Sequence, residues 1–347
     1  MSTSEVGEGG VRGERPGREA VVGKGEHPRG GRRDGKRRRG GRGERAMVPD
    51  AEFTSYYGKP ILNPPKWEAR DIAGYFFLGG LAGAGSVLAA GAQLTGLPAT
   101  ARALKISSLA AIAGSTYALV HDLGRPARFH HMLRVVKPTS PMSVGSWVLA
   151  AYGPAAGAAA VLDVTGWFPR LGAAATAGAA VLGPVVASYT AVLAADTAVP
   201  AWHGGYRELP FVFVGSATAA ASGMALIAAP RGENGPARGA AVFGTALDLA
   251  AVTLMRRRLG MVAEPYREGR SGRLMRTAEV LSVAGAAGGA LLGGRSRAAA
   301  ALSGAALLAA SACTRFGVFH AGVRSAEDPK YTVVPQRERR EALQQEH

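Results

Sequence analysis

The sequence predicts an all-α membrane protein: eight transmembrane helices in a polytopic bundle, N-in/C-in, with both termini on the cytoplasmic side. Three observations carry that expectation. Hydrophobic residues make up 47% of the chain and charged residues 19%, yet the net charge is +16, so apolar and basic residues must be segregated. From Ile72 onward, apolar stretches recur near the length of about 20 residues that crosses the hydrocarbon. Between them, Lys and Arg fall mainly in alternate connections.

Residues 1–46 are rich in Gly, Arg and Glu, with thirteen Lys or Arg against seven Asp or Glu. With almost no large apolar side chain, this tail cannot bury enough surface to offset the entropy of ordering, so disorder is expected. Its charge suits an anionic surface, lipid headgroups or nucleic acid. Of these, membrane lipid is the expected partner and nucleic acid is not. No apolar h-region follows the charges before Ile72, so the tail is not a signal peptide. Met47 opens a different composition, and a start there would remove the tail altogether. Residues 47–70 then read as an amphipathic or coil lead-in to a transmembrane domain over 71–320.

The expected span cores are 72–94, 103–120, 144–164, 171–195, 210–229, 239–255, 278–292 and 298–318. The sixth and seventh are short and rich in Ala and Gly. Small residues make poor cores in water but let helices approach closely in lipid, and Gly79, Gly80, Gly83 and Gly85 supply such a surface on the first helix. With the N-terminus inside, the cytoplasmic connections hold Arg125, Arg128, Arg134, Lys137, Arg207 and seven arginines from Arg256 to Arg276. The other side holds Arg102, Lys105, Arg170, Arg231, Arg238, Arg295 and Arg297. An even span number keeps both basic tails inside. The polar C-terminal tail, 321–347, carries Pro329 and Pro335 and reads as strand or coil.

Cys313 is the only cysteine. The chain therefore holds no disulfide framework, no thiolate zinc site and no iron–sulfur cluster of its own. A bis-histidine haem needs two histidines inside the bundle; His121, His203 and His320 sit at span ends and His130 and His131 in a loop, so no haem is expected. The loop from His121 to Trp147, HDLGRPARFHHMLRVVKPTSPMSVGSW, concentrates the polar chemistry between two apolar segments.

Three blocks resemble the NrfD/PsrC family, the integral membrane subunits of polysulfide reductase-like complexes. They are WEARDIAGYFFLGGLAG (67–83); DLGRP (122–126) with KPTSPMSVGSW (137–147); and YTAVL (189–193) with PAW (200–202) and ELPF (208–211). The resemblance implies a plasma-membrane, multi-pass subunit that exchanges electrons between quinone or menaquinone, bound without covalent attachment, and a ferredoxin-like iron–sulfur subunit. A molybdopterin-type catalytic subunit would lie beyond, and the chain itself would be non-catalytic or quinone-reactive. A tyrosine near the end of the fourth helix donates to a quinone oxygen in the family, and Tyr189 matches it. The family's histidine in the first helix aligns with Tyr75, and a polar position aligns with Ile72, so Asp71 or Arg70 would have to supply the missing polarity.

The eight-span topology also brings Arg70, Asp71, Tyr75, His121, Asp122, Ser140, Tyr189, Asp196 and His203 to one membrane face. Tyr75 reads either as a quinone ligand or as an interfacial anchor, and Asp122 with Arg125 either as site residues or as a loop ion pair. Proton transfer is expected at Asp196, His203, Asp248 and Glu279, because an ionisable residue inside a span is costly. Asp248 reads as a relay or as one half of a buried pair. Two other classes compete. An ion-coupled secondary transporter would place its polarity at the midplane, which here is nearly empty except for Asp248. A passive anchor would have no quinone site.

Overall fold

The computed structural model describes residues 6–7, 10–11, 61–63, 65, 67–123 and 126–345. The segment Met1–Lys59 forms a unit of its own, in which Val6–Gly7 pairs antiparallel with Gly10–Val11. The disorder expected for 1–46 otherwise lies outside the described residues, as does most of the 47–70 lead-in.

The second unit, Pro60–His347, is helical. Its long helices are α1 (Ala69–Leu94), α2 (Pro98–Asp122), α3 (Pro141–Thr165) and α4 (Pro169–Ala195). After the short α5 (Pro200–Gly204) come α6 (Leu209–Ala228), α7 (Gly235–Leu259), α8 (Gly269–Leu292) and α9 (Arg297–Glu327). Proline opens most of them: Pro98, Pro141, Pro169, Pro210 and Pro236 all sit in a first turn, where the missing N–H costs nothing. α3 stops at Gly166, whose φ of 71° is the left-handed conformation of a helix C-cap.

Seven stretches are long and apolar enough to cross a membrane: α1, α2, α3, α4, α6, α9, and α7 with the 3-10 turn that follows it, through Tyr266. The helix α8 covers the expected seventh span, but Arg270, Arg273, Arg276 and Glu279 charge its first half, and it is not among the seven stretches apolar enough to cross a membrane. α8 nonetheless packs antiparallel to α9, Gly317 against Met275 at one end and Gly285 against Leu307 towards the other.

The C-terminal tail corrects the expectation of coil or strand. α9 continues to Glu327 and a further helix, α10, covers Lys330–Gln345. Pro335 lies inside it, and the stretch after the proline is dominated by Arg, Glu, Ala, Leu and Gln, which are strong helix formers.

Packing follows the small residues. α1 is the hub, lying against α2, α4, α6 and α9. At the α6–α7 crossing, a methyl on Gly215 would sit 2.6 Å from Asp248 N, and one on Gly244 would sit 2.8 Å from Gly215 O. Gly83 and Gly183 face each other in the same way across α1 and α4, as do Gly223 and Gly304 across α6 and α9. Large apolar side chains instead point outwards, among them Val181, Leu254, Val280 and Leu302.

Candidate functional site

The starts of α1 and α3 and the ends of α2 and α4 enclose a cavity of about 310 Å³. Tyr75, Tyr189 and Asp122 line it, among Trp67, Ile72, Leu119, Leu123, Leu149 and Leu193. From the connecting loop and the first turns of α3 come Met132, Met142, Gly145 and Ser146, so the polar loop does cover the space beneath it. Both tyrosines are buried, and neither phenol hydroxyl has a hydrogen-bond partner among the described residues. Two phenol donors therefore face a mainly apolar slot that also holds Asp122 and Ser146.

Sequence position explains how Tyr189 is seated. Gly145, in the KPTSPMSVGSW block, lies flat against the hydroxyl end of the Tyr189 ring, and no side chain larger than hydrogen fits between them. Ser143 pins the loop above: its Oγ donates to Val135 O at 3.0 Å and accepts from Lys137 N at 3.0 Å. Trp67 lines the cavity and stacks on Trp202 with 5.7 Å between ring centroids. Trp202 is fully buried and donates from Nε1 to Val318 O at 2.8 Å, which ties the cavity wall to α9.

The other residues expected at this face are near the cavity but do not line it. Asp71 is committed to His121, with Oδ2 and Nδ1 2.7 Å apart, and this pair joins the start of α1 to the end of α2. Asp122 Oδ1 accepts from Glu68 N at 3.2 Å and closes the same junction. Arg70 is exposed, and Ser140 forms the N-cap of α3 without a side-chain bond to the helix. Asp196, at the C-cap of α4, and His203 are exposed. His203 Nδ1 lies 3.1 Å from Ala195 O. Arg125, the expected partner of Asp122, lies outside the described residues. His130 and His131 are exposed on the 3-10 helix Pro126–Leu133.

A second apolar groove of about 130 Å³ adjoins the cavity and shares Leu119, Leu123, Met132, Ser146 and Leu149 with it. It runs between α2 and α3 beneath the 3-10 helix, where Phe129, Leu133 and Ala150 complete it.

The midplane is more polar than the sequence reading held. Asp248 sits at the middle of α7, buried, with no partner for Oδ1 among the described residues. Beside it Arg315, near the middle of α9, is fully buried. Its Nη2 donates to Phe213 O at 2.7 Å and its guanidinium lies 3.8 Å from the centre of the Phe213 ring, while Nε and Nη1 have no partner among the described residues. Asp248 and Arg315 lie within electrostatic range without forming a close ion pair. Ser216 and Ser311, 2.9 Å apart, bridge the same two helices, α6 and α9, that hold Arg315. Glu279 is paired with Arg256 Nη1 at 2.5 Å. Sequence reasoning missed Arg315, although a lone charge inside an apolar run of spanning length is a sufficient signal.

Residues 66–235, which contain the whole cavity lining, match the family model described as polysulphide reductase, NrfD. No curated protein matches the chain.

Proposed function

The chain belongs to the NrfD family, a multi-pass membrane subunit of polysulfide reductase-like oxidoreductase complexes, and from that premise we propose that its cavity binds quinone or quinol and that the chain passes electrons to an iron–sulfur partner. One observation carries the reading: two phenol hydroxyls without a partner among the described residues, one carboxylate and the Ser146 hydroxyl line a mainly apolar cavity at a helix-bundle end. Its volume lies within the roughly 300–1,000 Å³ of small-molecule sites, and such sites combine apolar walls with a few placed polar groups.

A bound quinol supplies two electrons and two protons. Tyr189 and Tyr75 would hold the two ring oxygens as hydrogen-bond donors, because a phenol near neutral pH donates but does not take up a proton. Asp122 is the group in the cavity wall able to accept one. The Asp71–His121 pair beside it is half open to solvent and continues the route to the surface. The adjoining groove between α2 and α3 is apolar and supports an exit for an isoprenoid tail. The exposed loop above, with His130, His131, Arg134 and Lys137, offers the docking surface for the iron–sulfur subunit, and a molybdopterin-type enzyme would follow in the electron path.

We also read α8 as the eighth span, so that both termini are cytoplasmic and the membrane is the plasma membrane. Its antiparallel packing on α9 and its outward-facing Val280 and Val283 support this. Asp248 and Arg315 form a buried polar centre suited to proton transfer, and Glu279, held by Arg256, lies towards the charged end of α8.

The test is Tyr189→Phe in the assembled complex. Losing one hydrogen bond of about 0.5–1.5 kcal/mol should weaken quinol use by roughly two- to tenfold with assembly intact. Unchanged quinol kinetics would remove the quinone site and leave a passive anchor.

A further inference from the structure

At the end of α1–α4 remote from the first cavity, the α1–α2 and α3–α4 turns bound a second cavity of about 290 Å³. Lys105, Asp163 and Gln93 supply its polar lining, beside the apolar Leu97, Leu162 and Ala173. Lys105 is only 5% exposed, and its Nζ donates to Asp163 Oδ1 at 2.7 Å and to Gln93 Oε1 at 2.5 Å. Arg102, more than half exposed, donates from Nε to Asp163 Oδ2 at 2.9 Å and from Nη2 to Asp163 O at 3.3 Å.

The charges of this cluster do not cancel. Two cations share one carboxylate, and Asp163 is the one acid in the lining. Glu233, from the turn between α6 and α7, is engaged elsewhere: its Oε2 accepts from Thr100 N at 2.8 Å at the start of α2. Arg170, exposed beside the lining Pro169, adds to the positive field. Donors are also left over. An ammonium carries three N–H groups and a guanidinium five, so each cation has N–H groups beyond those given to Asp163 and Gln93. The Gln93 amide also keeps its NH2, because it is the oxygen that meets Lys105. Charges taken out of water are ordinarily paired. One positive charge at a cavity wall with spare donors therefore calls for an anion.

The surroundings indicate where that anion comes from. Trp167 and Phe168, in the turn between α3 and α4, are both exposed, as is Leu94 at the end of α1. Phe168 takes a φ of 47°, the left-handed conformation that costs a bulky residue energy and recurs at ligand clamps. Exposed aromatic side chains at helix ends lie at the level of the lipid headgroups. The cavity therefore sits at the depth of the phosphates. Its volume suits a headgroup alone, while exposed Val161, Val164 and Leu171 on the adjoining ends of α3 and α4 offer apolar surface to acyl chains.

We propose that this cavity binds an anionic phospholipid of the phosphatidylglycerol type, its phosphate held by Lys105 and Arg102 and its glycerol hydroxyls by Gln93. Such a lipid brings the single negative charge that the cluster lacks, whereas phosphatidylethanolamine is neutral overall and does not. The bound headgroup fastens the α1–α2 turn to the α3–α4 turn. No part of this uses the first cavity, so it stands apart from the quinone reading.

The test uses the intact complex, stripped of lipid in a neutral detergent and titrated with phosphatidylglycerol, phosphatidylethanolamine or glycerol 3-phosphate. Bound lipid is counted by native mass spectrometry, and thermal midpoints are read in parallel. Phosphatidylglycerol should bind at least fivefold more tightly than phosphatidylethanolamine. Ala173→Trp fills the cavity from an exposed position and should abolish that preference, with the lipid-free midpoint unchanged. Arg102→Ala should weaken phosphatidylglycerol about fivefold, the worth of one basic group at an anionic headgroup. Equal affinity for the two lipids overturns the proposal, and so does an undiminished preference in both variants. Competition by glycerol 3-phosphate at equal concentration would assign the cavity to a free phosphate ester and overturn the lipid. Should Ala173→Trp lower the lipid-free midpoint, the exposed Arg102→Ala change decides.

Discussion

The seating of Tyr189 gives the sharpest test of the cavity. In Gly145→Ala the new methyl would fall inside the Tyr189 ring, where its three nearest atoms are Cζ, Cε1 and the hydroxyl oxygen. Carbon atoms rest about 3.5–4.0 Å apart, so the ring must retreat by more than about 1 Å. A misplacement of about 1 Å can cost a reaction roughly a hundredfold, which exceeds the two- to tenfold expected for losing the hydroxyl alone. The added methyl should therefore harm quinol turnover more than Tyr189→Phe does. The assay is steady-state quinol oxidation by the assembled complex with a dye acceptor, each variant checked for assembly. Tyr189→Ala supplies the control, because with the ring gone Gly145→Ala has no partner to displace and should add little. Wild-type turnover in Gly145→Ala would refute the reasoning, and so would an equal loss from Gly145→Ala in the Tyr189→Ala background.

Three further outcomes are expected. Gly244→Ala drives a methyl to 2.7 Å from Ala219 N and 2.8 Å from Gly215 O, so α6 and α7 must part, at a cost of about 1–3 kcal/mol as in other overpacked cores, seen as a lower thermal midpoint in detergent. Arg315→Met removes the positive charge nearest buried Asp248 together with the bond to Phe213 O, and should lower the thermal midpoint. Arg315→Met combined with Asp248→Asn should melt above the Arg315→Met variant, and strictly additive losses would show that the two groups do not interact. A reporter fused after His347 should be active in the cytoplasm; activity only outside would overturn the N-in/C-in topology.

What was legible in the sequence is what hydropathy and punctuation encode in one dimension. The expected core 144–164 became α3 at Pro141–Thr165, and the expected core 171–195 became α4 at Pro169–Ala195, because a proline in the first turn and a run of spanning length mark such helices whatever they pack against. The blocks around Tyr75 and Tyr189 likewise led to one cavity, since helix order alone places those ends on one face. What was not legible depends on rotation about each helix axis. Asp71 and Asp122 flank the same junction, yet Asp71 turns to His121 while Asp122 faces the cavity. Lys105 was counted as a loop charge for topology, whereas its stem is buried and its ammonium reaches Asp163 across the bundle. The C-terminal tail misled for a different reason: Pro335 was read as a breaker, but it lies inside α10, followed by a run of strong helix formers.

Rotation also accounts for the glycines of α1. Gly79 and Gly80 are neighbours in sequence and so point about 100° apart, given 3.6 residues per turn. Gly79 faces Ser115 and Thr190 in the α1–α4 bundle, whereas a methyl on Gly80 would sit 3.0 Å from Arg315 Nη2 and 3.2 Å from Ala217 Cβ. One turn on, Gly83 lies against Gly183 of α4. α1 is thus wedged between two polar centres, Ser115 and Thr190 on one side and Arg315 on the other. A side chain at either glycine would push one of them away, and the helix touches both because positions 79 and 80 carry no side chain. The FLGGLAG block therefore reads as the requirement that a single helix serve as the common wall of both.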